Sequence, residues 1–413
     1  MSLPRYVAVL ALLLAAAAAP AVPAEPASAG PPADTGPGAT GFGPAWTVDL
    51  RHGTGSNVRT GGAGLTLADP RHAQRLTGQV GYGAYFAGSQ LLSQPVSEIR
   101  AVTDATVPAR AAVEVDVAGR LASGQWTEWQ GATATTPARL GQAVTEVQVR
   151  VTLRASRTGA APVVRSVTLT GDQPTGPAAV TPAATALTYT VFATREGLVG
   201  GTTANGHTIV AHDHFISLPS GRSLSAQNSG TYTVKVCYAG NGRCEWAPVW
   251  EVGPWNTRDD YWNPPSTRQM WTDLPQGRPE AQAAYQDGYN GGHDEFGRKV
   301  LNPAGIDLAD GVFQDGLALP DNSWVTASFL WTASGAVTGT INASPYLNVR
   351  SGPHTSSGVV GFAAHYAKVV IECQTTGDSV SGSNGTSNLW LRLGSGQYVA
   401  RAYASVSGTP ATC

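Results

Sequence analysis

Four tryptophans and four carboxylates fall within Cys244 to Trp262, "CEWAPVWEVGPWNTRDDYW". Glu251 stands between Trp250 and Val252, two residues before a Gly-Pro, with Trp246 and Trp255 nearby. An acid among aromatic rings suits sugar chemistry. Indole faces stack on sugar rings, and an apolar surround raises a carboxyl pKa until it can give a proton near neutral pH. The alternative is an outward strand residue paired with Arg243 or Arg258. Asp259 and Asp260 follow the turn and could serve as further acids, or cap the segment after it. Upstream, Ala211-His212-Asp213-His214-Phe215 sets two imidazoles at i and i+2, one face of a strand, with Asp213 on the other. That spacing suits a histidine aimed at Glu251. It also suits two zinc ligands, although no His-Glu-x-x-His motif supplies a further one.

These residues need a scaffold, and the composition points to an all-β one. The chain has 413 residues, enough for two or three domains, with Gly 49, Pro 28 and abundant Val and Thr. Charged residues make up 13% and the net charge is -2, so nothing marks a nucleic-acid footprint or a basic membrane patch. The excess of arginine over lysine fits a GC-rich, actinobacterial type of genome. Arg5, the apolar run Tyr6 to Ala19 and Ala27-Ser28-Ala29 read as a signal peptide over 1–29, with a competing site after Ala24. The mature protein is therefore expected to be exported, extracellular or wall-associated, outside the membrane and monomeric. Export makes disulfides the expected fate of the four cysteines. Cys237 and Cys244 flank the turn signal "YAGNGR" and are expected to bridge, leaving Cys373 to Cys413.

Alternating patterns divide the chain. "AVEVDVAGRL" and "TEVQVRVTLRA" place valines and leucine at every second position, which predicts a β-sandwich over 45–171. Its Trp126 and Trp129 are core or edge aromatics, or sugar-stacking ones. "GPPADTGPGATGFGPA", "DQPTGPAAVTPAATA" and "TASGAVTGTINAS" read as linkers. They bound a second domain over 187–331 and a small third one over 340–413.

"TTANGHTIVAHDHFISLPSGRSL", "VWEVGPWN" and "GIDLADG" occur in the order seen in double-psi β-barrels. The middle domain resembles rare lipoprotein A-like proteins and the first domain of expansins. The resemblance implies a groove in which an acid protonates a glycosidic oxygen. Glu251 stands where the family has aspartate, and the family histidine falls among His212, Asp213 and His214. It implies a structural role for Asp307. Residues 256–303 form a long insertion with one short helix expected in "RPEAQAAYQDG".

"YLNVRSGPHTSSGVVG" and "NLWLRLGSGQYVARAYAS" resemble the opening and closing strands of bacterial SH3 domains, small β-barrels of wall-acting proteins. The fold expected is thus a sandwich, a double-psi barrel and an SH3-like barrel. The partner implied is peptidoglycan or another wall polysaccharide. The candidate catalytic residues are Glu251, His214, His212, Asp213 and Asp260. Trp246, Trp250, Trp255, Tyr261, Trp262, Trp390, Tyr398 and Tyr403 are the candidate ligand contacts. No cofactor or metal is implied by the resemblance. Three functions fit: a glycan-cleaving enzyme resembling lytic transglycosylases, a non-catalytic expansin-like binder, and a zinc peptidase using His212 and His214.

Overall fold

The computed structural model describes residues 45–72, 81–172 and 185–413. The signal peptide and nearly all of the first and second linkers lie outside the described residues. The rest is strand and turn, with short helices only. No helix of the described residues is long and apolar enough to cross a membrane.

The first ten strands are β1 (Ala45–Thr47), β2 (Thr54–Ser56), β3 (Val58–Gly61), β4 (Gly64–Leu67), β5 (Tyr82–Phe86), β6 (Gln90–Thr106), β7 (Ala112–Gly119), β8 (Gln130–Gly131), β9 (Ala138–Arg154) and β10 (Val163–Asp172). They form a sandwich whose layers share the two 17-residue strands β6 and β9. One part of β9 pairs with β6, and its last part with β5 and β7. Val147, Val149, Val151 and Leu153 alternate into a core with Val117, Ile99 and Leu169, as a period of two requires.

Six strands then close a barrel: β11 (Leu187–Arg195), β12 (Ile216–Leu218), β13 (Thr233–Cys237), β14 (Cys244–Val252), β15 (Ala304–Leu308) and β16 (Ser323–Phe329). The order is β12-β15-β11-β16-β13-β14, and β14 returns to β12. The β11–β15 and β12–β14 pairs are parallel. Within the segment before β15 is one helix, α1 (Glu280–Asp287), ended by left-handed Gly288. Asp259 accepts the Glu280 backbone N–H and pairs with fully buried Arg268. Asp260 is buried too, holding Arg222 and the Gln269 N–H. Both acids brace this long segment.

The C-terminal strands are β17 (Val337–Ile341), β18 (Tyr346–Arg350), β19 (Val359–Ala364), β20 (Lys368–Ile371), β21 (Cys373–Gly382), β22 (Gly385–Gly394), β23 (Gln397–Ala400) and β24 (Ala404–Ser407). The segment "TASGAVTGTINAS" is not a linker, because its Val337–Ile341 is the middle strand of the β20-β17-β24 sheet. Its Gly and Thr content misleads. Ile341 is fully buried, and small Gly339 lets Ile371 and Ser405 pack close by. Cys237–Cys244 and Cys373–Cys413 are both bridged.

The C-terminal strands are continuous with the barrel. β14 pairs in parallel with β19, Cys244 opposite Gly361. A Cβ at Gly361 would stand 1.7 Å from the Cys244 carbonyl oxygen, and one at Gly230 would stand 1.9 Å from that of Tyr366. Only glycine permits either approach.

The sandwich docks through Gly124–Trp129. Trp129 Nε1 donates to Leu224 O, Gln125 Nε2 to Leu330 O, and the Gly124 carbonyl accepts Lys368 Nζ. Glu128 sits at the centre. Its carboxylate accepts Trp262 Nε1 at 2.5 Å, Trp331 Nε1 at 2.9 Å and Asn263 Nδ2 at 2.6 Å. Glu128→Ala would strip three donors of their acceptor, and each buried orphan costs about 1–3 kcal/mol. Denaturant unfolding should show a loss of at least about 2 kcal/mol. A loss below about 0.5 kcal/mol, the range of an ordinary surface substitution, would show that the seam does not depend on Glu128.

Candidate functional site

Strand register assembles a polar row across the barrel wall. Thr194 on β11 is opposite Asp307 on β15, Asp307 is opposite Ser217 on β12, and Ser217 is opposite Glu251 on β14. Cross-strand partners share a face, and all four line a groove of about 1130 Å³. Arg195, Asn322, Asn302, Arg298 and sandwich residue His72 extend its walls. Two strand spacings separate the backbones of Asp307 and Glu251, roughly 9–10 Å. That leaves space for a sugar linkage between the two carboxyls.

Glu251 and Asp307 are held differently. Glu251 is 9% exposed, and its oxygens accept the N–H groups of Ala204 at 3.1 Å and Val252 at 2.6 Å. It thereby ties the Thr203-Ala204-Asn205-Gly206 turn to the barrel. Asp307 is half-buried and accepts the Thr194 hydroxyl. Desolvation pushes its pKa up to about 7, against the lowering effect of that hydrogen bond. Asp307 is thus a groove carboxyl that can carry a proton near neutrality. Its position between buried Ile306 and Leu308, a lone polar residue in an apolar strand, is the sequence signal that marks it.

The histidines lie elsewhere. His212 and His214 are not on a strand; they precede β12 in a turn where His212 takes φ 59°. His212 Nδ1 pairs with Asp315 at 2.7 Å, His214 Nδ1 with Glu245 at 2.7 Å, and Asp213 with His207 Nε2 at 2.7 Å. The three side chains engage three separate partners, so no His-x-His ligand pair forms. Among the described residues no three His, Cys, Asp or Glu side chains converge to hold a metal. Glu245 precedes Glu251 by six residues, roughly 20 Å along a strand, so His214 does not face Glu251. Its ring packs instead on Tyr346 and Phe362 of the C-terminal strands. Burial alone would lower the His214 pKa; the hydrogen bond and charge of Glu245 reverse that and raise it.

Most of the tryptophan cluster is core. Trp246, Tyr261 and Trp262 are at most 1% exposed, and none presents a face to the groove. Trp250 stacks on Phe215 and meets His207, while half-buried Trp255 donates to Asn302 at the groove wall. β14 is buried throughout, with Trp246 in the main core and Trp250 in a separate cluster with Ile209, Phe215 and Ala309. A further cleft, of about 410 Å³, lies on the C-terminal strands between Tyr346, Trp390, Tyr403 and Arg350. Trp390 is itself 2% exposed and donates to Asp378 O. Tyr398 lies opposite Arg350 on β23.

A family profile described as a domain of unknown function, DUF8814, matches residues 187–328, the barrel. The uncharacterized protein YraI of Bacillus subtilis (strain 168) is 46% identical over 44 residues, 11% of this chain and 37% of that protein. The chain thus spans little more than a third of that relative. Among solved structures, the xylan-binding module CBM15 aligns at 16% identity over 32% of this chain and 98% of its own, with a TM-score of 0.19. A score this low carries no weight for fold or ligand.

Asp307 gives the site a pH signature. Its pKa rises on folding, so between the ordinary carboxylate range and about 7 the folded state holds a proton that the unfolded state has lost. Stability then falls as pH climbs through that window. Asp307→Asn removes the effect. The variant should gain on wild type in melting temperature from pH 4 to pH 7.5, and parallel curves would refute the assignment.

Proposed function

We propose that the protein is an exported, wall-associated polysaccharide-acting protein whose barrel groove binds glycan, with Asp307 as its proton donor. The observation that carries the reading is one open groove with a carboxyl poised to hold its proton near neutral pH. A glycosidic linkage bound against Asp307 would take the proton on its bridging oxygen as the C1–O bond breaks. The Asp307 carboxylate left behind would then accept the proton of the attacking hydroxyl, from water or from the sugar itself. Glu251 shapes the opposite wall through the turn it fixes. The resemblance of residues 340–413 to bacterial SH3 domains supports peptidoglycan as the polymer. The cleft at Tyr346 and Tyr403 is the candidate contact for its peptide part. Two disulfides suit an oxidising compartment.

A non-catalytic binder is the second reading, favoured by one observation: Glu251 is engaged with main-chain N–H groups, so it is not poised as a base. Mass spectrometry of purified peptidoglycan after incubation decides between them. Wild type should release cleaved glycan fragments, and Asp307→Asn should lose about 10²–10⁴-fold in rate while still sedimenting with walls. Unimpaired cleavage by Asp307→Asn would overturn the assignment. An inactive wild type whose wall binding falls in Asp307→Asn would establish the binder.

A further inference from the structure

A third cavity, of about 590 Å³, lies between the outer face of the sandwich and the barrel. It falls within the roughly 300–1,000 Å³ of small-molecule sites. It is separate from the groove: Glu251 lines the groove, whereas its neighbour Val252 lines this cavity. Its roof is the solvent-side register of β5, β9 and β7, where Arg154 is opposite Tyr82 and Ala112, and Arg150 is opposite Asp116. Its floor includes Arg222, Thr257 and Arg258 of the barrel segment.

The lining holds four arginines against two carboxylates, Glu114 and Asp116. Two of the arginines are fully used. Arg150 takes Asp116 through two nitrogens, donates to Gly221 O at 2.5 Å and lies over the Trp129 ring. Arg222 is committed to Asp260 and Thr267 O. The other two are underused. Arg154 reaches Glu114 through one nitrogen at 3.3 Å, and its Nε–H is buried without an acceptor. Arg258 is half exposed, with its nearest carboxylate, Glu295, at 3.7 Å. Around them stand hydroxyls of Thr103, Thr133, Thr152 and Thr257.

We infer that this cavity binds a short oligosaccharide bearing carboxylates. A ligand carboxylate can take Nε–H and Nη2–H of Arg154 together, in the bidentate geometry that a single long contact to Glu114 does not reach. Glu114 is 48% exposed and free to swing out. Arg258 meets a second carboxylate, and the threonines meet sugar hydroxyls. Glu114 and Asp116 disfavour a compact dianion such as phosphate. A sugar with separated single charges satisfies both arginines without crowding these acids. The inference does not depend on the chemistry of the groove.

Calorimetry on the mature chain tests it, with trigalacturonate as the probe and its methyl ester as the neutral control. Trigalacturonate should bind, and the ester at least tenfold more weakly. Arg154→Gln should weaken binding tenfold or more. Arg258→Gln, at an exposed position safe for folding, should weaken it several-fold, and Glu114→Gln should tighten it. No binding, equal binding of the ester, or equal displacement by inorganic phosphate would overturn the inference. So would binding that survives Arg154→Gln and Arg258→Gln but is lost in Asp307→Asn, which would place the sugar in the groove.

Discussion

Strand β14 is the constraint on which the rest depends. All nine of its residues are buried. One edge pairs with β13 from Cys244 to Pro248. The other edge is divided: Cys244 to Trp246 pair with β19, and Val249 to Val252 with β12. Pro248, which has no N–H to satisfy, falls between the two stretches. A single strand therefore belongs to the barrel and to the C-terminal sheet at once. It also carries two buried acids, Glu245 beneath the C-terminal strands and Glu251 at the groove. A substitution that shifts β14 would move both.

Raised carboxyl pKa values do not by themselves locate a site in this molecule. Desolvation takes Asp259 to about 6 and Glu280 to about 7, as it takes Asp307 to about 7. Asp259 is fully enclosed, ion-paired with Arg268 and bound to the start of α1. Glu280 accepts Asn256 Nδ2 and is fully buried. Both hold the long segment before β15 in place. Asp307 differs in facing an open groove lined by amides, guanidinium groups and two further carboxyls, Glu196 and Glu251. Access to the groove separates Asp307 from these two braces.

How much was legible in the sequence follows from what each pattern encodes. A period of two reveals strands, so the sandwich valines and the β14 hairpin around "YAGNGR" could be read directly. So could the short helix, from its spacing pattern, and its stop at left-handed Gly288 is a finding of the structure. The pattern cannot say whether a strand is covered on one face or two. Trp246, Tyr261 and Trp262 therefore read as a sugar cleft, whereas Tyr261 and Trp262 pack on Phe329, Trp262 also meets Trp331 and sandwich residue Glu128, and Trp246 lies in the same core. His-x-His suggested a shared strand face, but left-handed His212 breaks the extended backbone that such a face requires. The resemblance gives Asp307 only a structural role, since its exposure depends on which strands lie beside β15. The arginine-lined cavity was invisible for the same reason, because it is bounded by residues far apart in the chain.

Amide hydrogen exchange followed by mass spectrometry tests the central claim, that β14 makes the barrel and the C-terminal strands one cooperative body. Peptides covering β14, β12 and β19 should exchange together, at the same free energy and only through global opening. Exchange of residues 337–413 in a separate, earlier transition, with β14 still protected, would contradict it.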